Sequence, residues 1–172
     1  RAIYNNTTYG DYTCTLQPSS ADYAALFTGK DKCDGVVERS PSLQQLVSID
    51  CEMCLTKAGK ELARLSIIGS DAIVLLDVFV QPELPIENYL TQYSGITEEI
   101  LATSNTLTFA QAQIAFLRIV SANTVVVGHS VDSDMKALKL FHGRFIDTAI
   151  IYPHPKGFPM RLKLSQLAFD HL

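Results

Sequence analysis

Val47-Ser48-Ile49-Asp50-Cys51-Glu52-Met53 decides the fold, because it sets two carboxylates inside an apolar run that alternates as a β-strand does. Residues two apart on a strand share a face, so Asp50 and Glu52 point the same way, roughly 6–7 Å apart at their Cα atoms. Burying both without partners is costly, since each charge needs a counter-ion or must neutralise. Two readings stay open. Divalent cations held about 3.5–4 Å apart by bridging carboxylates answer the charge, or the acidic face of a half-buried strand meets Arg64, Arg118 or Lys136. Cys51 and Cys54 have the spacing of a zinc or redox pair. Three apart on a strand, however, their thiols diverge, and with Cys14 and Cys33 they read as buried or incidental.

The flanking pattern extends the strand into a sheet. Lys57-Ala58-Gly59-Lys60 reads as a turn, Ala63, Leu65 and Ile67 alternate along a second strand, and the apolar run 73–80 suits a third. Short turns between the three imply an antiparallel meander, ended by Pro82 and Pro85. Helical signals follow. Thr97 caps a short helix with Glu98 and Glu99 in its first turn, and Thr108 with Gln111 forms a capping box. Behind that box Phe109, Ala112, Phe116 and Ile119/Val120 make an apolar stripe. Residues 124–128 suit a buried strand, 133–140 a helix, 145–147 a brief strand and 162–172 a further helix. Residues 46–172 therefore predict an α/β domain: a mixed sheet, antiparallel strands first and parallel strands after, flanked by helices. This is the ribonuclease H-like arrangement, although the order alone does not separate it from other α/β folds. Residues 1–45 are polar and carry turn chemistry at Tyr4-Asn5-Asn6-Thr7, Pro18-Ser19-Ser20 and Thr28-Gly29-Lys30-Asp31, which predicts an irregular N-terminal extension.

The 172 residues fit one domain, and 47% hydrophobic with 19% charged residues argues against disorder. No run of eighteen apolar residues exists to span a membrane, and the N-terminus lacks a secretory pattern. Starting at Arg1 rather than Met suggests a fragment or a processed product. A net charge of −4 is wrong for a binder that works by phosphate neutralisation alone. It suits a protein that holds divalent cations, whose charge then meets the phosphate.

Other carboxylates lie further along. Asp134 follows Val125-Val126-Val127-Gly128-His129 and opens a helix, so a strand-end loop aims it at the sheet edge. Asp132, just before it, suits an N-cap. Asp77 and Asp147 sit in apolar strands as ligands or as partners for arginine.

Ser48-Ile49-Asp50-Cys51-Glu52-Met53-Cys54-Leu55-Thr56 resembles the first motif of the DEDD exonuclease superfamily, most closely that of the eukaryotic Rex-type RNA exonucleases. Tyr89-Leu90-Thr91-Gln92-Tyr93-Ser94-Gly95-Ile96-Thr97 resembles their substrate loop. Gly128-His129-Ser130-Val131-Asp132-Ser133-Asp134-Met135-Lys136-Ala137-Leu138 resembles the second motif, and Phe145-Ile146-Asp147-Thr148-Ala149-Ile150-Ile151-Tyr152-Pro153-His154 follows the family pattern. The resemblance covers residues 46–172. It implies a metal-dependent 3′→5′ exonuclease acting on single-stranded RNA 3′ ends, with DNA possible, in the nucleus and away from membranes. Asp50, Glu52 and Asp134 would be catalytic and hold two Mg²⁺ ions, with Mn²⁺ as substitute. Met53 would offer backbone contacts to the 3′ ribose, and Gly95 would let the loop approach closely. Ile96 would pack on the terminal base, with core packing as the equal alternative. Thr97 closes that loop, and His129 matches a family histidine near the substrate that is structural rather than catalytic.

The family's third motif, a histidine followed five residues later by an aspartate, is expected after the helix that begins near Leu162 and is not found before Leu172. The chain is thus expected to be truncated at its C-terminus and inactive or weak as it stands. His129 with Asp134 and His142 with Asp147 have the spacing but lie on the wrong element. The alternatives are a catalytically silent module that binds nucleic acid or a protein partner, and a structural domain whose carboxylates are neutralised by basic side chains.

Overall fold

In the computed structural model, residues 8, 9, 12–15, 21 and 45–172 are described. Of the N-terminal stretch expected to be irregular, the described residues include β1 (Thr8–Tyr9) and β2 (Tyr12–Cys14). The rest of that expectation, and Cys33, lies outside the described residues. β2 lies parallel to β9 (Leu140–Phe141), with Thr13 donating its N–H to the Lys139 carbonyl at 2.9 Å. His142 supports the junction: its Nδ1 lies 3.0 Å from Thr15 Oγ1, and its Nε2 donates to the Thr124 carbonyl at 2.8 Å.

The meander is present and longer than its apolar runs suggest. β3 (Leu46–Thr56) pairs antiparallel with β4 (Gly59–Gly69), and β4 with β5 (Val74–Gln81). The extra length comes from the hairpin, where Thr56 Oγ1 accepts from Ala58 N–H at 3.1 Å and Gly59 adopts a φ of 104°. The expected alternation fails at Ala63. Glu52 pairs with Arg64 but Met53 pairs with Leu62, so Ala63 is the extra residue of a bulge and faces away from Leu65 and Ile67. The bulge lies opposite the Glu52–Met53 step.

After β6 (Ile86–Asn88) come α1 (Thr91–Ser94), α2 (Glu98–Thr103), β7 (Thr106–Thr108) and α3 (Phe109–Ile119). Thr97 Oγ1 accepts from Ile100 N–H at 3.2 Å, and both halves of the Thr108/Gln111 box are made. β8 (Val125–Gly128), α4 (Val131–Ala137), β10 (Phe145–Asp147), α5 (Thr148–Ile151) and α6 (Leu164–His171) complete the chain. The main sheet has the order β10-β8-β3-β4-β5-β7, with β6 beside the end of β3; β8 and β10 run parallel to β3. This is the ribonuclease H-like mixed sheet that the sequence predicts.

α3 and α4 cover one face. Phe116, fully buried, packs with Ala112, Ala115, Val131, Met135 and Leu138 against Val47, Ile49 and Cys51. On the opposite face Cys54 and Ala63 meet Ile96 and Leu101 in a smaller cluster. Cys51 and Cys54 therefore diverge onto opposite faces, as strand alternation requires.

Candidate active site

Asp50 and Glu52 project from the middle of β3 on the face opposite α3; Asp50 is exposed and Glu52 half-buried. The expected burial of both carboxylates is thus not realised. β8 ends its pairing with β3 at Ser48, which leaves the Cys51 N–H without a strand partner on that side. Asp134 supplies it: Oδ1 accepts from Cys51 N–H at 2.9 Å. One buried carboxylate, only 5% exposed, is so fixed to the β3 backbone at the residue between Asp50 and Glu52.

Two backbone features bring Asp134 there. Gly128 is the last residue of β8, and a Cβ on it would meet Val131 Cγ2 at 2.9 Å and the Ile49 carbonyl at 3.2 Å. Only glycine lets β8 pass β3 so closely at this point. The chain then turns through Ser130, at φ 65°, into α4. Asp132 is not the cap expected of it, because the helix already starts at Val131. Asp147, at the end of β10, takes that role: its carboxylate accepts from Ser130 N–H at 2.8 Å, Val131 N–H at 3.1 Å and Ala149 N–H at 2.9 Å. Asp147 is a structural anchor for the starts of α4 and α5. Asp132 instead pairs with Arg161 at 2.8 Å and Lys136 at 3.4 Å.

The nearest cation to Glu52 is committed elsewhere. Arg64 lies opposite Glu52 in register but makes a bidentate pair with Asp77, at 2.8 and 2.7 Å, and Ser66 Oγ donates to the same carboxylate at 3.1 Å. Among the described residues neither Asp50 nor Glu52 has a hydrogen bond or ion pair from its side chain. Burial and the Asp50 charge together raise Glu52, with Arg64 opposing. Asp134 is pushed up to about 7, first by burial and then by Asp50, against the pull of its bonds from Cys51. Burial likewise pushes the Cys51 thiol well up, and its side chain belongs to the main core on the other face of the sheet.

An unanswered set of oxygen donors fits a hard divalent cation. It is not a finished cage: among the described residues no three His, Cys, Asp or Glu side chains are gathered to hold an ion. Asp50 and Glu52 lie on open sheet surface, and the cavity of about 50 Å³ bounded by Lys60, Glu61 and Phe109 lies elsewhere.

The other expected contacts fall as follows. The 88–97 loop is held by its own side chains: Ser94 Oγ donates to the Tyr89 carbonyl at 2.9 Å, and Thr91 Oγ1 to the Ile96 carbonyl at 2.6 Å. Ile96 is 1% exposed and packs on Cys54, which is the core-packing alternative. Gly95 has open space where a Cβ would stand. Its φ of 67° at the end of α1 lies in the left-handed region that favours glycine. Met53 packs its side chain on the main core, and Thr97 is the cap of α2. His129 donates from Nε2 to the Leu162 carbonyl at 2.8 Å, while Nδ1 lies 2.9 Å from Thr148 Oγ1. Both ring nitrogens are used in joining β8 to α5 and to the segment before α6. The anchoring role of Asp147 was missed, although an aspartate directly preceding Thr148-Ala149 carries an N-cap signal.

The family model for the RNase_T exonucleases matches residues 47–154, which run from β3 through α5. The chain belongs to this exonuclease family. "Exonuclease GOR" of Pan troglodytes is 40% identical over 149 residues, covering 83% of this chain and 21% of that protein. "RNA exonuclease 1" of Saccharomyces cerevisiae is 42% identical over 123 residues, covering 72% and 22%. The exonuclease domain thus spans about a fifth of the length of these relatives. Its fold is shared by the Pan2 catalytic unit of Neurospora crassa, with a TM-score of 0.66 and 25% identity over 77% of this chain and 23% of that one. The Saccharomyces cerevisiae Pan2 pseudoubiquitin hydrolase–RNA exonuclease module in complex with AAUUAA RNA gives a TM-score of 0.67 and 25% identity, over 87% of this chain and 29% of that one.

Proposed function

We propose that the protein is a metal-dependent exoribonuclease that removes nucleotides from RNA 3′ ends by phosphodiester hydrolysis, with Asp50, Glu52 and Asp134 as its catalytic carboxylates. One observation carries this reading: Asp134 is bonded to the backbone of β3 between Asp50 and Glu52, while Arg64 is drawn away to Asp77. Asp50 and Glu52, side by side on one strand face, and Asp134 at its edge would hold two divalent ions, Mg²⁺ or Mn²⁺ in its place. Such ions supply charge that acidifies the attacking water and stabilises the leaving 3′ oxygen. The Cys51 N–H fixes one Asp134 oxygen and leaves the other for an ion. Preference for RNA is supported by the names of the similar RNA exonucleases and by the RNA-bound Pan2 module.

The test is the full-length protein on single-stranded RNA labelled at its 5′ end, with Mg²⁺ or with chelator. Stepwise shortening of the labelled strand, abolished by chelator, is expected. Immediate release of a labelled mononucleotide would reverse the direction. Binding without shortening would replace the enzyme with a silent binding module.

A further inference from the structure

The segment after β10 has a charge character opposite to that of the chain as a whole. From Thr148 to Phe169 it contains Lys156, Arg161 and Lys163 and no aspartate or glutamate, in a protein of net charge −4. Within it residues 153–161 form a closed loop. Pro153 and Arg161 are joined by an antiparallel bridge, and turns inside it are closed by Gly157 N–H to the His154 carbonyl at 2.8 Å and Met160 N–H to the Gly157 carbonyl at 3.1 Å. At its tip Phe158 is 90% exposed, next to the half-exposed Met160.

The base of this loop is fastened to the candidate active site. Arg161 pairs with Asp132 at 2.8 Å, two residues before Asp134 on the same helix, and the Leu162 carbonyl receives the His129 Nε2–H. Three extended residues reach at most about 10 Å, so Phe158 stays close to that anchor. An exposed aromatic ring on a basic loop is the combination that grips a single strand without reading its sequence. The ring stacks a base, and the cations follow the phosphates.

We infer that the 153–161 loop is a docking arm for single-stranded RNA, stacking a base upstream of the 3′ end on Phe158 with Lys156 and Lys163 beside the backbone. The inference rests on the exonuclease reading above. The segment also offers a polyanion three cations, Lys156, Arg161 and Lys163, in a stretch of an acidic domain that carries no aspartate or glutamate.

The experiment measures anisotropy of 5′-fluorescein oligoadenylates bound to the full-length protein, with Ca²⁺ in place of Mg²⁺ so that the strand stays intact. Phe158→Ala is expected to weaken binding of an oligomer of about eight nucleotides by about tenfold and to leave a dinucleotide unaffected. Phe158→Trp should restore the longer oligomer. Because the ring is exposed, neither change should alter the circular dichroism. If Phe158→Ala binds every length as the unaltered protein does, while both shorten RNA with Mg²⁺, the arm is wrong and the exonuclease reading stands. If the unaltered protein neither binds nor shortens RNA, both fall. A Phe158 that serves another protein surface gives the first of these outcomes.

Discussion

Asp134 is held between opposing influences, since burial and Asp50 raise its pKa to about 7 while the Cys51 N–H favours its charged form. In the unfolded chain an aspartate titrates near about 3.9. The folded value is therefore the higher one, and the stabilisation linked to it is fully present below about pH 4 and lost as pH rises through about 7. The metal-free protein should lose stability across this window, and Asp134→Asn should lose less. Urea midpoints in chelator at about pH 5 and about pH 7.5 check this; parallel behaviour of the two proteins would contradict it. The residue types were legible from the D-x-E strand and from the run that leads to Asp134. The choice made by Arg64 was not. It depends on the register of three strands at once, because Asp77 gains Ser66 as a second donor and outbids Glu52 for the guanidinium.

At the scale of elements, α4 is positioned less by its own sequence than by β10. Asp147 takes three N–H groups at the starts of α4 and α5, two of them at the turn through Ser130, which has no side-chain cap of its own. A buried donor left unsatisfied costs about 1–3 kcal/mol. Asp147→Ala should therefore lower stability by at least about 2 kcal/mol and speed amide exchange at Ser130 and Val131. Asp147→Asn, which keeps one acceptor, should do so by less. Unchanged exchange at those amides would contradict the anchoring role. The strand periods and the Thr97 and Thr108 caps were readable because each is written within a few residues. The Ala63 bulge and the Asp147 anchor were not, since each is a contact between separated strands or between a strand end and a later helix. The helix start at Val131, rather than two residues later, follows from the same distant carboxylate.

For the molecule as a whole, the mixed sheet explains how the site is assembled from two stretches more than eighty residues apart. β8 runs parallel to β3 only as far as Ser48, so the helix that follows β8 delivers Asp134 to the first unpaired amide of the neighbouring strand. Gly128 permits the close passage and Asp147 fixes the exit. The acidic net charge fits this plan, with phosphate met through divalent ions at the carboxylates and through a local basic segment. Substitution of Asp50 isolates the central claim, because Asp50 is exposed and relieving its repulsion of Asp134 costs no packing. The most direct measurement is single-turnover shortening of 5′-labelled RNA in Mg²⁺ by full-length protein with and without Asp50→Asn. A loss of about a hundredfold or more, with the circular dichroism unchanged, is the expected result. Shortening at a comparable rate would contradict the carboxylate centre.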